Sequence, residues 1–251
     1  MLVDAVGRAG AENLAIDEAL LCEADRSGRA FLRLYRWSPP CLSFGRHESV
    51  TTRYDRAAIA RLGLDVVRRP TGGRAVWHEH ELTYAVAAPI ATFGSLRETY
   101  CAIHERLAAA LRTLGVDAKL ASNRPPRSAR GRLVPLSEGP TSCFAAPVGG
   151  EVVIGDRKVV GSAQVRRGAA FLQHGSILLD GSQDVVAQVS RLPGAGNRAT
   201  TLSEALGRPV SFDEVAAAIV AAWREEVRPS APVRPCPSPS VFSDSAWTWR
   251  R

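Results

Sequence analysis

Apolar residues recur along the chain with two different periods, and the switches between them lay out an order of elements. In AENLAIDEALL, Leu14, Ile16, Leu20 and Leu21 stand among good helix formers and predict an amphipathic helix near the start. FLRLYRW and CLSFGR read as two strands that cannot share one ladder, because SPP between them carries two prolines. DRAAIARLG predicts a short helix ended by Gly63, LDVVRR a strand, TGGR a turn, and AVWHEHELTYAVAAP one long strand or two short ones. The clearest helical spacing lies in SLRETYCAIHERLAAALRTLG, at Ile103, Leu107, Ala110, Leu111 and Leu114, with Gly115 at its end.

From Ser122 to Pro140 the periodicity stops, and Pro, Ser, Arg and Gly predict a long mobile loop of the kind that is functional or disordered in compact domains. EVVIGDRKVVGSAQV then predicts a hairpin turning at GDR, AAFLQHGSILLD another strand, and SEALG and DEVAAAIVAAWREEV two helices. Strands that follow one another directly, with helices between groups, predict an α+β fold in which helices cover a mixed sheet. Residues 1–228 are expected to form a single domain, and the Pro/Ser-rich tail 229–251 to be extended or disordered.

At 251 residues and 45% hydrophobic content the chain can bury a substantial core. The first twenty residues hold no apolar run suited to a signal peptide, and no later segment approaches a membrane span, so a cytoplasmic protein with no membrane partner is expected. Cys22, Cys41, Cys101, Cys143 and Cys236 lie far apart without a CxxC pair, which argues against a disulfide framework or a structural zinc site and leaves buried thiols or one reactive one. The net charge of +7 suits an acidic partner. Of the 32 basic residues only Lys119 and Lys158 are lysines, which raises the question of what a lysine does here that arginine cannot, such as proton transfer.

The segment VRRPTGGRAVWHEHELTY invites three readings. A phosphate loop would need a lysine after the glycines and a following helix, and neither is predicted. GAGNRA at residues 194–199 imitates a dinucleotide fingerprint but lacks its third glycine and a preceding strand. A metal site would use His78 and His80 on one face of a strand, without a third ligand nearby. The third reading is a pocket wall, in which the glycines let the backbone approach a ligand, His78 follows into the same pocket, and Arg68 and Arg69 meet a carboxylate, a phosphate or solvent. Downstream, Cys143 in TSCFAAP precedes Lys158 by fifteen residues, and a neighbouring ammonium would stabilise its thiolate.

Together and in this order, NLAIDEALL, RRPTGGRAVWHEHELTY, SCFAAP, GDRKVVGSAQVR and LQHGSILL resemble the lipoate-protein ligase and octanoyltransferase family, whose catalytic domain is similar to that of biotin protein ligase. The resemblance implies a largely antiparallel mixed sheet covered by helices and a single catalytic domain over 1–228. It implies an acyl-chain tunnel lined by Arg69, Thr71, Gly72, Gly73 and His78, with Gly161, Ser162 and Ala163 opposite and His174 and Gly175 from LQHGSILL. Lys158 would sit at the reacting carbonyl, and in the octanoyltransferase branch Cys143 would take the acyl group as a thioester. That branch implies octanoyl-acyl carrier protein as donor, a lipoyl-accepting protein such as glycine cleavage H protein as acceptor, a monomer, and no cofactor. The alternative is a lipoate ligase that uses ATP and magnesium through an acyl-adenylate and does not need Cys143. Arg74 stands where the ligase motif commonly has a third glycine. A non-catalytic acyl-chain or nucleic-acid binding module would leave the pairing of Cys143 with Lys158 unexplained, and no nucleic-acid partner is expected.

Overall fold

The computed structural model describes residues 1–122, 144, 149–192, 199–223 and 240–250, and every absence stated below is one among these residues. The expectations for Cys143, for Cys236 and for the loop after Ser122 lie outside the described residues, as does GAGNRA up to Arg198. Along the chain run β1 (Leu2–Arg8), α1 (Gly10–Ser27), β2 (Phe31–Trp37), β3 (Cys41–Phe44), α2 (Val50–Arg53), α3 (Arg56–Arg61), β4 (Asp65–Arg68), β5 (Val76–His78) and β6 (Glu81–Pro89). Then come α4 (Leu96–Arg112), β7 (Ala118–Leu120), β8 (Val152–Ile154), β9 (Arg157–Lys158), β10 (Val160–Arg167) and β11 (Ala170–Leu178). The last elements are α5 (Asp184–Val189), α6 (Leu202–Leu206), α7 (Phe212–Ala222), α8 (Ser240–Ser243) and α9 (Ser245–Thr248).

The main sheet has the order β1-β2-β6-β11-β10, with only its β1–β2 pair parallel, so it is mixed and largely antiparallel as the sequence led us to expect. Its inner strands β2, β6 and β11 are buried on both faces. Leu32, Leu34, Tyr84 and Val86 pack with Ile103, Leu107 and Leu111 of α4 and Phe212, Val215 and Ile219 of α7. The alternate residues Phe31, Tyr35, Ala85 and Ala87 meet Leu14, Leu20 and Leu21 of α1, and the period of two sorts each strand into both cores. Helix α4 starts at a capping box, in which Ser95 Oγ accepts from the Glu98 N–H while the Glu98 carboxylate accepts from the Ser95 N–H. No helix is long and apolar enough to cross a membrane.

Two predicted segments divide. AVWHEHELTYAVAAP breaks at Glu79–His80: β5 joins a small sheet of order β4-β3-β5, and β6 joins the main sheet. His78 is buried and His80 exposed, so the two do not share a strand face, and no group of three or more His, Cys, Asp or Glu is placed to hold a metal ion. EVVIGDRKVVGSAQV does turn between β8 and β9, but β10 then leaves to pair with β11. Val159 makes the junction, donating to the Val152 carbonyl at 3.2 Å and accepting from the Leu178 N–H at 3.1 Å.

Part of the tail corrects the expectation of extended or disordered chain. Residues 240–250 form α8 and α9 and dock on the body, with Phe242 buried in the α1 core and Trp249 beside Phe44. Arg68 is the reason. Its buried guanidinium donates to the carbonyls of Gly45, Arg46 and Glu48 on one side and of Thr248 and Arg250 on the other, at 2.8–3.1 Å. Trp247 Nε1 closes the clasp by donating to the Arg68 carbonyl at 2.9 Å. Arg68 therefore meets neither carboxylate nor phosphate. Arg68→Ala leaves these acceptors without their charged donor, and a loss of about 3 kcal/mol is expected in urea unfolding.

Candidate active site

Strands β2, β5, β6, β10 and β11 meet around a partly open pocket. Of the residues expected at a tunnel, Arg69, His78, Gly161, Ser162, Ala163, His174 and Gly175 line it. Tyr35, Trp37, Val76, Thr83 and Ser176, which the sequence reading did not single out, complete the described wall. Thr71, Gly72 and Gly73 are not part of it. Thr71 stands behind His174, and Arg69 ties the turn together by donating to the carbonyls of Gly72 at 3.0 Å and Arg74 at 2.9 Å. Gly73 is required by its φ of +91°, whereas a side chain at Gly72 would meet nothing within 4 Å.

The wall is built largely from polar residues whose polar atoms are turned onto one another. His78 has its pKa lowered by burial, helped by the charges of Arg69 and His174 against Glu81, so its ring is neutral. Nδ1 donates to Glu81 Oε1 at 2.8 Å, and Nε2 accepts from Ser43 Oγ at 2.5 Å, which in turn accepts from Arg69 Nη1 at 2.6 Å. Ser176 and Thr83 also donate to Glu81 Oε1, and Trp37 Nε1 donates to Thr83 Oγ1 at 2.7 Å. The Trp37 ring stacks on His78 at 4.0 Å.

A second relay runs behind His174, whose Nδ1 donates to Asp17 Oδ2 at 3.0 Å and whose Nε2 lies 2.7 Å from Thr71 Oγ1. Tyr35 donates to the same carboxylate oxygen and Arg33 to the other. Burial alone would raise the Asp17 pKa, but the hydrogen bond from His174, the Arg33 charge and the Tyr35 hydroxyl together hold it below the usual carboxylate value. The consequence is chemical: with these groups bonded among themselves, Glu81 Oε2 excepted, the pocket offers chiefly carbon to its occupant, as an acyl chain requires.

Lys158 lies beside this pocket at the end of β9, 1% exposed, while Lys119 is exposed. Its Nζ donates to the buried Glu151 carboxylate at 2.6 Å, and Tyr100 OH reaches the same oxygen at 3.4 Å. Nζ is 5.3 Å from the centre of the Phe144 ring. That ring occupies the space a Cβ on Gly161 would need, so Phe144 fills the gap between the lysine and the pocket wall. Gly175 has an equally strict role: a Cβ there would collide with Ser162 Oγ and the Gly161 carbonyl and stand 2.9 Å from the Tyr84 ring. Gly175→Ala should therefore cost about 1–3 kcal/mol, read as a fall in melting temperature.

On the inner side of Ser162, His104 of α4 is fully buried between Gly150 and the Ser162 hydroxyl. Burial, opposed by its bond to the Gly150 carbonyl and helped by the Lys158 charge, brings its pKa from 6.5 down to about 4. The sign for stability follows. Between pH 6.5 and 4 the unfolded chain binds a proton at this histidine and the folded chain does not, so stability falls as pH falls through that window. His104 contributes about 1.4 kcal/mol per pH unit, and buried neutral His78 acts in the same direction. Urea midpoints should drop from pH 7 to pH 5, and the drop should shrink in His104→Phe.

With the geometry in place, comparison with known proteins decides the family. The family described as "Lipoyl protein ligase A/B catalytic domain" matches residues 9–224. The chain belongs to that family. This lipoyl ligase A/B domain is 40% identical over 236 residues to Octanoyltransferase LipM of Symbiobacterium thermophilum, covering 88% of this chain and 84% of the relative. It is 34% identical over 226 residues to Octanoyltransferase LipM of Bacillus subtilis, covering 84% and 80%. In fold it is similar to a lipoate-protein ligase A bound with ATP, with a TM-score of 0.75 and 22% identity over 98% of this chain and 97% of that one. A bi-partite lipoate protein ligase from Thermoplasma acidophilum gives 0.74 and 22% over 98% and 95%. At that identity the two structures speak to the fold alone, which is the α+β arrangement expected from the sequence.

Within this family domain the sequence reading missed Asp17, Glu81, Tyr84, His104 and Glu151. Two of them carried a signal. Asp17 stands four residues after Asn13 on the buried face of α1, and His104 lies on the apolar stripe of α4 with Leu107, Ala108 and Leu111. A polar group on the core side of a helix must find a partner, and that is the cue.

Proposed function

We propose that the chain is an octanoyltransferase, which takes an octanoyl group from acyl carrier protein as a thioester on Cys143 and passes it to the ε-amine of a lysine on a lipoyl-accepting protein such as glycine cleavage H protein. It acts as a cytoplasmic monomer and uses no ATP. The observation that carries this reading is Lys158, a buried lysine ion-paired to Glu151 and set against Phe144 at the side of a carbon-faced pocket. Phe144 directly follows Cys143 in the chain, which supports assigning that thiol to the same place.

In the first half-reaction the Cys143 thiolate attacks the donor thioester, the new C–S bond replaces the old one, and the carrier leaves as its thiol. One thioester replaces another, so the step is nearly neutral in energy. The Lys158 ammonium stabilises the attacking thiolate. In the second half-reaction the acceptor amine attacks the octanoyl-enzyme, forms the amide and releases the Cys143 sulfur. Arg69, His78, Gly161, Ala163, His174 and Gly175 hold the chain, and the Thr71–Gly73 turn supports that wall from behind. The positive charge of the chain draws in an acidic carrier protein.

The test is to mix the purified protein with octanoyl-acyl carrier protein in the absence of ATP and record its intact mass. An octanoyl adduct on the peptide containing Cys143, lost when acceptor protein is added, is the expected result. No adduct, together with ATP-dependent modification of the acceptor, would replace transfer by ligation.

A further inference from the structure

Ser162 contributes a hydroxyl to the pocket wall, and the groups behind it decide what that hydroxyl can offer. His104 Nδ1 lies 2.6 Å from the carbonyl oxygen of Gly150, which can only accept, so this nitrogen carries the ring proton. Nε2 of the neutral ring is then an acceptor, 2.8 Å from Ser162 Oγ. On the other side Gln164 donates to Gln173 Oε1 at 2.8 Å, which orients the Gln173 amide to donate to Tyr84 OH at 2.8 Å. Tyr84 OH lies 2.7 Å from Ser162 Oγ and 3.3 Å from His104 Nε2.

The arrangements that satisfy these buried groups keep the Ser162 proton inside the network, on His104 or on Tyr84. Turning it towards the pocket would leave the imidazole nitrogen with only the longer Tyr84 contact, a costly arrangement for a fully buried acceptor. A serine hydroxyl has two lone pairs, and at least one remains on the pocket side.

We infer that Ser162 presents the pocket with a hydrogen-bond acceptor only, that His104 locks this polarity, and that the acceptor receives an N–H of the attacking lysine amine. An oxyanion needs donors, so Ser162 is unsuited to stabilise the carbonyl oxygen and suited to aim the nucleophile. The inference rests on the transfer reading. In the step it serves, the nitrogen lone pair forms the C–N bond, the C–S pair leaves with the Cys143 sulfur, and the proton lost by nitrogen ends on that sulfur. Ser162 touches the substrate, and His104 is a positioning residue that acts through it.

The experiment follows the two half-reactions separately by intact mass, on the full chain with octanoyl-acyl carrier protein and then with acceptor protein. In Ser162→Ala, transfer to the acceptor should slow about 30- to 100-fold more than enzyme acylation does. His104→Phe should show the same split, and the double variant should be no slower in transfer than the slower single one, because the two residues act in series. Equal slowing of both steps, slowing of acylation alone, unchanged transfer in Ser162→Ala, or multiplying effects in the double variant would each overturn the inference. Should His104→Phe not fold, the split in Ser162→Ala decides by itself. A parent protein that never acylates defeats the transfer reading and this inference with it, an outcome distinct from one in which the parent acylates and the split is absent.

Discussion

Cys143→Ser is expected to lose the octanoyl adduct and to lower transfer to the acceptor by at least about 10³-fold, some 4 kcal/mol of barrier. A thiol is a few per cent ionised at neutral pH and intrinsically a strong nucleophile, while a serine hydroxyl is neither without a base to activate it. Lys158 would not repair this, because an ammonium held in an ion pair stabilises an anion and is a poor base. The variant should fold as the parent does, so circular dichroism and melting should agree while the acyl-enzyme peak disappears. Retained transfer in Cys143→Ser would remove the covalent route.

Lys158→Arg is expected to keep the fold and lose about 10²- to 10⁴-fold in overall transfer. Arginine retains a positive charge for Glu151 and avoids stranding a buried carboxylate, but its planar fork cannot put a compact point charge where Nζ lies, 2.6 Å from that carboxylate and over the Phe144 ring. Lys158→Met, by contrast, leaves Glu151 buried without its cation and should destabilise by about 3–5 kcal/mol. Adding Glu151→Gln to Lys158→Met should restore much of that stability without restoring transfer. Full activity in Lys158→Arg would take the residue out of the mechanism.

The sequence carried the architecture further than it carried the chemistry of the site. Helices α1 and α4 follow from the spacing of their apolar residues, and strands β2, β6 and β11 from short β-rich runs, which are buried on both faces. Strand β1 was not anticipated, and its partner Phe31–Trp37 lies across a whole helix. The residues that hold the site in shape depend on longer-range registers. Glu151 reaches Lys158 only because β8 and β9 pair across Gly155 and Asp156, and Asp17 reaches His174 only because α1 lies across β11. The segment RRPTGGR looked like a wall that ligand would touch. In the fold Arg69 lines the pocket, while Arg68 is anchored in backbone carbonyls and Thr71 braces His174 from behind.

A wall whose polar atoms are bonded to one another depends on residues that no ligand reaches. Thr71→Val would leave His174 Nε2, and Ser43→Ala would leave His78 Nε2, a buried ring nitrogen without the hydroxyl it is bonded to, while every residue that lines the pocket stays in place. The shape of the site is therefore open to mutation at positions that a screen of the pocket lining would never sample.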